Sequence, residues 1–397
     1  MFSAIERTLI AVSSFVSVLG STTIIYRFLK CRNCWNKTYE RLVLGLSVSD
    51  VVFSATLSFA PILVYPASEP SALCTFEAFF KHFGFAGPYY NAALSYYYLL
   101  VIVFRVNDKT IARYYEPMLH LFAIPLALVA CVACLLLEVY NPSPASETCW
   151  ILPYPSDCVV DDDDNNNAVV PACIRGEPQV ALVLRLVGMY VPLLIVLASL
   201  IVNNVWIFMY VRGVERQVQR HTTTTIATRT ASSSTHHASQ VAGQSFCFVF
   251  AFFLSFLPSA LLEIVDWLDD SENIGRYYAL QLVRAVLYPM QGLFNVLVYI
   301  RPRYLRWRRW SAAGESRWTC FYHALFTFQH APTRTTERQR TRRWEGTTKD
   351  PARGESLTGD TGGPQQNDDG VVEEAYDECS VSEPGFRIPE EQVGANE

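Results

Sequence analysis

Residues 288–310, from Tyr288 to Trp310, read YPMQGLFNVLVYIRPRYLRWRRW, and they decide how the rest of the chain is read. The first half is apolar, with Gln291, Asn295 and Tyr299 set into it at intervals. From Arg301-Pro302 onward, arginines interleave with Tyr304, Trp307 and Trp310. An apolar run that ends in a basic, aromatic collar is the pattern of a helix leaving a bilayer on its cytosolic side. Anionic headgroups attract arginine there, and amphipathic rings sit at the interface. The stretch predicts the last of several membrane spans.

Composition agrees. Of 397 residues, 51% are apolar and 17% charged, whereas soluble domains carry about a quarter charged. Seven apolar stretches each approach or exceed the ~20 residues needed to cross a bilayer: 8–29, 42–65, 76–104, 118–140, 180–211, 243–265 and 277–300. Length favours helix over strand. Pro61, Pro88, Pro125, Pro192, Pro258 and Pro289 lie inside these stretches; membrane bundles tolerate such prolines as kinks. The expected fold class is an all-α membrane protein. A seven-helix bundle fills 1–310, with a short amphipathic helix after the last span, and a mostly disordered cytosolic tail fills 311–397. No cleavable leader is read ahead of the first span, which is expected to act as its own anchor.

Lysine and arginine placement sets the orientation. Basic residues cluster after the first span (Lys30, Arg32, Lys37, Arg41), the third (Arg105, Lys109, Arg113), the fifth (Arg212, Arg216, Arg220, Arg229) and the seventh (Arg301, Arg303, Arg306, Arg308, Arg309). The opposite connectors are acidic, as at Glu69, Glu147, Asp161 to Asp164, Asp269 and Asp270. The amino terminus is therefore expected outside and the carboxyl terminus in the cytosol of a plasma-membrane protein. That arrangement requires an odd number of spans.

The cysteines sort by side. Cys74 and Cys149 fall in outer segments, where disulfides persist, and are expected to pair; Cys158 and Cys173 are candidates for a second bridge, although sequence cannot fix connectivity. Cys131, Cys134 and Cys247 lie in spans as packing residues. Cys31-x-x-Cys34 falls on the cytosolic side, and no partners for a metal or redox role are seen beside it. The Asn36-Lys37-Thr38 sequon is also cytosolic and is expected to stay unglycosylated. The segment from His221 to Ser239 reads as a Thr- and Ser-rich inner loop. It and the tail are either phosphorylated docking segments or plain linkers. Within the tail, residues 318–328 (WTCFYHALFTF) form an apolar island too short to span, read as a membrane-surface segment with Cys320 a candidate for acylation.

Asp50 carries the functional argument. A carboxylate inside an apolar span is expensive in lipid and needs a partner facing the bundle interior. Asn295 and Ser21 lie at similar depth, reckoned from the cytosolic side. Such a cluster binds a cation, holds helices whose relative shift is a switch, or merely glues helices together. An ionised carboxylate is a costly glue, which favours a functional role.

These marks resemble a G protein-coupled receptor. Leu46-x-x-x-Asp50 is similar to the second-helix signature of the rhodopsin-like family. Asn295-Val-Leu-Val-Tyr299 resembles its seventh-helix Asn-Pro-x-x-Tyr, with Val296 in place of proline. Ser255-Phe256-Leu257-Pro258 resembles its sixth-helix Cys-Trp-x-Pro, with Phe256 at the switch tryptophan, and Pro192 fits the fifth-helix proline. Cys149-Trp150, Tyr98-Leu99 and Gln291-Gly292 look like the secretin and cyclic-AMP receptor families. YERLVLGLSVSD (39–50), NAALSYYYLL (91–100) and the opening stretch together resemble the divergent cyclic-AMP-receptor-like proteins of protists. Arg105 ends the third span without the acidic neighbour of the family's Asp-Arg-Tyr, so it either contacts the G protein as that arginine does or anchors the span at the interface. The resemblance implies an activation switch at Asp50, Asn295, Tyr299, Phe256, Pro258 and Arg105. It also implies a heterotrimeric G protein as partner.

In the outer halves, Lys81, His82, Asn91, Arg185, Glu263 and Arg284 are the candidate contacts for an extracellular ligand. Lys81, Arg185 and Arg284 near one end of a bundle suit an anionic small molecule. The alternative is that each cation snorkels outward or pairs with Glu77 or Glu263. Few residues precede the first span, so a small ligand is favoured over a large peptide hormone. Membrane lipids are partners; nucleic acid, a cofactor, a metal and enzyme activity are not expected. A microbial retinal protein needs a lysine in the last span, and none occurs from Tyr277 to Ile300. A small-metabolite transporter is the rival reading, but spans one to three and five to seven share no repeat. An intramembrane protease would need paired groups that His82 and Asp50 do not supply.

Overall fold

In the computed structural model, which describes residues 4–31, 34–63, 69–143, 148–156, 158, 172–221, 228–268, 277–310 and 316–327, the apolar runs are helices. Backbone groups in lipid have no water to bond, and a helix bonds them within the segment. In chain order these are α1 (Ala4–Lys30), α2 (Thr38–Leu63), α3 (Ala72–Phe83), α4 (Ala86–Ile102), the short α5 (Asp108–Thr110), α6 (Glu116–Leu136), α7 (Pro178–Arg185), α8 (Val191–His221), α9 (Thr228–Leu268), α10 (Tyr278–Leu287), α11 (Gln291–Trp310) and α12 (Arg317–Phe326). Wide π-helical turns at Ile111–Tyr115 and Leu186–Tyr190 join α5 to α6 and α7 to α8. The chain divides into two units, Met1–Tyr299 and Ile300–Glu397, with the boundary inside α11.

Among the described residues, five helical runs are long and apolar enough to cross a membrane: Ala4–Lys30, Thr38–Ala60, Asp108–Leu136, Pro178–Gln217 and Ser239–Val265. The pair α10 and α11, bent by 51° at its break, makes a sixth if taken as one span. The third apolar stretch differs from expectation. It divides at Gly84-Phe85 into helices of 12 and 17 residues, each short of a span by itself. The sixth stretch also differs: its helix starts at Thr228, inside the segment read as an inner loop. The basic segment after the last span continues α11 straight through Pro302 and does not form a helix of its own. Glu147, Asp161 to Asp164, Asp269, Asp270, the 222–227 segment and the tail beyond residue 327 lie outside the described residues.

Prolines explain much of the packing. A helix proline leaves the carbonyl four residues earlier without its donor, and a neighbouring helix supplies one. Ser13 Oγ on α1 shares its proton between Leu9 O of its own helix at 2.6 Å and Ala285 O at 3.1 Å, opposite Pro289. Gln244 Nε2 on α9 donates to Val298 O at 2.6 Å, opposite Pro302. His82 on α3 is in hydrogen-bond contact with the backbone of Gly188, opposite Pro192. Around the α10–α11 break, Gly292 N–H donates to Ser17 Oγ at 2.9 Å, and Ser54 Oγ donates to Pro289 O at 3.3 Å. Ser54 also donates to Ser17, at 2.9 Å. Serines on α1 and α2 thus satisfy the backbone that the break exposes. The approach is close: a Cβ on Gly20 would lie 2.9 Å from Gly292 O.

The end of the helices that carries Cys74 is closed by a hairpin, β1 (Tyr140–Pro142) against β2 (Cys149–Ile151), pairing Tyr140 with Ile151. Cys74 is bonded to Cys149, and Cys158 to Cys173. A buried cluster that includes Cys74, Ala78, Cys134, Val139, Tyr140, Ile151 and Ala181 fixes the hairpin to the helices. Cys31 and Cys34 form a third disulfide between α1 and α2, where the sequence suggested no bond.

Candidate functional site

Three levels of polar contact run through the helices. At the middle level Asp50 is 4% exposed, and its Oδ2 accepts from Asn295 Nδ2 at 2.7 Å. This contact ties α2 to α11 one turn beyond the break. Ser21 is buried beside them, close enough that a Cβ on Gly292 would collide with its hydroxyl. A small cavity with room for about one water molecule, lined by Asp50, Phe53, Gly84, Phe85, Phe256 and Gln291, adjoins the carboxylate. Gln291 Nε2 is buried there with no hydrogen-bond partner among the described residues. Tyr288, at the break itself, is wedged edge-on between Phe53 at 5.1 Å and Phe256 at 5.5 Å. Phe256 stacks on Phe252 at 4.6 Å, two residues before Pro258. The structure therefore brings Asp50, Asn295 and Phe256 into contact with the broken helix pair.

At a second level, toward the start of α2, Tyr299 O–H donates to Glu40 Oε2 at 2.9 Å, both side chains buried. Asn204 on α8 donates to Ser95 Oγ on α4 at 3.2 Å and accepts from Ser245 Oγ on α9 at 3.0 Å. Arg105 follows α4 in the left-handed backbone region, with φ 53°, which few residues other than glycine adopt. Its guanidinium donates twice to Tyr210 O–H on α8, at 2.8 and 3.0 Å. Arg41 reaches Glu116 through two nitrogens, tying α2 to the start of α6.

At the third level, toward the hairpin, the sequence candidates separate into two groups. Lys81 Nζ is bonded to Glu77 at 2.9 Å, Cys149 O at 2.6 Å and Thr148 Oγ1 at 3.3 Å, and lies 4.8 Å from the Trp150 ring centre. Glu77 in turn accepts from Cys149 N–H at 2.7 Å. His82 Nδ1 meets Tyr140 O–H at 2.8 Å. These two residues hold the hairpin. Arg185, Glu263 and Arg284 form the second group. Tyr190 O–H donates to Glu263 at 2.6 Å, and the Arg185 guanidinium lies 5.8 Å from the Tyr190 ring. Tyr288 is in the electrostatic neighbourhood of both Glu263 and Arg284. Asn91 is deeper, buried on α4, with its amide donating to Gly87 O at 3.3 Å.

Sequence reasoning missed Glu40, Tyr210, Asn204, Gln244, and Ser13, Ser17 and Ser54; of the serines at the break it named Ser21. Glu40 is flanked by Lys37 and Arg41 and so reads as part of an interface collar. The serines carried one usable signal: Ser13, Ser17 and Ser21 recur every four residues along an otherwise apolar run.

No family model matches the chain, and no curated protein matches it. Among solved structures, the crystal structure of squid rhodopsin is similar over 87% of this chain and 91% of its own, at 16% identity and a TM-score of 0.54. At that identity the likeness concerns the fold alone: the helices follow the arrangement seen in that structure.

Proposed function

We propose that the chain is a seven-helix receptor of the plasma membrane that senses an extracellular small molecule and activates a heterotrimeric G protein. The observation that carries this reading is the Asp50–Asn295 contact beside the α10–α11 break. A buried carboxylate held by the Asn295 amide and the neighbouring Ser21 hydroxyl, next to a bend and a small cavity, is a linkage with more than one available packing. A ligand shifts such an equilibrium by its differential affinity for the two packings. The ligand occupies the Arg185, Glu263 and Arg284 group, whose two cations favour an anionic small molecule. Tyr288 and Phe256 relay its presence inward, and Asn295 and Tyr299 exchange partners with Asp50 and Glu40. Arg105 and the inner ends of α8 and α9 then form the face offered to the G protein. The α3 and α4 helices together make the third of seven crossings, with the amino terminus outside. Within the receptor class, the 39–50, 91–100 and 288–304 motifs favour the cyclic-AMP-receptor-like type.

The test is a second-messenger screen of cells expressing the chain against a library of anionic metabolites, repeated with Asp50→Ala. Loss of the response with surface expression kept is the expected result. A full response from the variant counts against the switch, and silence across every second messenger counts against coupling.

A further inference from the structure

We propose that α12 is a second membrane-surface element, seating an aromatic stripe in the anionic headgroup layer of the leaflet that α11 exits. Trp318, Tyr322 and Phe326 follow one another at four-residue intervals and so share a face. They are 78%, 59% and 53% exposed. The other side is closed: Cys320 and Ala324 are 1% and 0% exposed, and the His323 ring stacks on Trp307 of α11 at 4.8 Å and 20°. Ser316 caps the helix by accepting from Trp318 N–H at 3.3 Å. A ten-residue helix is marginal in water, and three large rings on its outer face are a poor surface to hydrate. An interface satisfies both conditions, since Trp and Tyr place their apolar bodies toward acyl chains and their polar edges toward headgroups.

Charge selects the occupant. Arg301, Arg303, Arg306, Arg308 and Arg309 lie on α11 and Arg317 on α12, and no acidic residue occurs between Ile300 and Ala313 or between Ser316 and Thr327. This basic surface is complementary to anionic lipid. The Cys320 thiol faces inward, so the anchor is the ring stripe and not an acyl chain on that sulfur. The inference requires that α11 leave a membrane; it does not require coupling to a G protein.

The test uses the full chain in lipid nanodiscs, in a Cys247→Ser, Cys379→Ser background, with a nitroxide label on Tyr322→Cys. Accessibility to oxygen and to a water-soluble nickel chelate reports depth. Chelate broadening is expected to be lost in phosphatidylcholine discs containing phosphatidylserine and to persist in pure phosphatidylcholine. Replacing the exposed Arg306, Arg308 and Arg309 by Gln should restore it on the anionic discs. The proposal is overturned if the label stays chelate-accessible on both discs, if it is equally immersed without anionic lipid, or if the arginine replacements change nothing. It is also overturned if protection appears only with two copies per disc, which would make the stripe an interface between chains.

Discussion

Glu40 and Tyr299 face each other through one hydrogen bond, and burial decides what that bond is worth. Removing a buried partner leaves the other group desolvated at a cost of about 1–3 kcal/mol. Tyr299→Phe should therefore lower thermal stability in detergent by about that amount, and Glu40→Gln by less, because an amide still accepts. The two changes together should fall short of the sum of the single effects by about 0.5–3 kcal/mol, the range for residues in direct contact. Strict additivity in that double-mutant cycle would mean that the contact contributes nothing. If the bond also holds the resting packing, each variant should raise signalling without ligand. The contrast with Asp50 shows what single residues reveal in a sequence. Asp50 stands out because nothing but a functional or tightly packed site explains a carboxylate inside an apolar run. Glu40 is equally buried, yet it lies at the end of its span among basic residues. Depth along a helix can be counted from sequence; which way a terminal residue turns cannot.

Elements were legible to the extent that their physics is local. Apolar runs, their lengths and the basic collars located most helix ends within a few residues, but not the start of α9 at Thr228 or the end of α8 at His221, and Pro289 marked the bend in the last span. The division of the third stretch was not read, although Gly84, Gly87 and Pro88 stand there together. Glycine and proline weaken a helix without saying whether neighbouring helices will hold it together. That depends on tertiary donors, and the serine pairing of α1 with the break is the case to test. Ser13→Ala should destabilise the protein by about 1–3 kcal/mol, because Ala285 O is left buried without a donor. In a Pro289→Ala background the same change should cost almost nothing, since residue 289 again donates along its own helix. An equal cost in both backgrounds would remove proline compensation as the role of Ser13. The close approach gives a companion expectation. Gly20→Ala places a methyl 2.9 Å from the backbone of α11, where overpacking costs about 1–3 kcal/mol. Gly213→Ala meets nothing within 4 Å and should be neutral or slightly stabilising in the same melting experiment.

Across the whole molecule, Lys81 is taken up in holding the hairpin, whereas Arg185 and Arg284 are half-buried beside Tyr190 and Tyr288. The charge pattern placed Lys81, Arg185 and Arg284 at one end without distinguishing them, because their partners come from segments far apart in sequence. Glu77 and the backbone of Cys149 enclose Lys81, and the disulfide to Cys74 holds that backbone in reach. Removing one member of a buried ion pair strands the other and typically costs about 3–5 kcal/mol. Lys81→Met should therefore deplete folded protein at the cell surface, and Glu77→Gln should do so less severely, because an amide keeps an acceptor for Lys81 and Cys149. Arg284 is half-buried on α10, beside Tyr288. Arg284→Gln should leave surface expression unchanged and raise the half-maximal concentration of an anionic ligand at least about tenfold, as expected when one charge-assisted contact of about 1.4 kcal/mol is lost. Measuring surface expression and dose response on the same cells separates the two roles. If Lys81→Met reached the surface normally and lost the ligand while Arg284→Gln responded as before, the assignment would be reversed, and the ligand would lie under the hairpin.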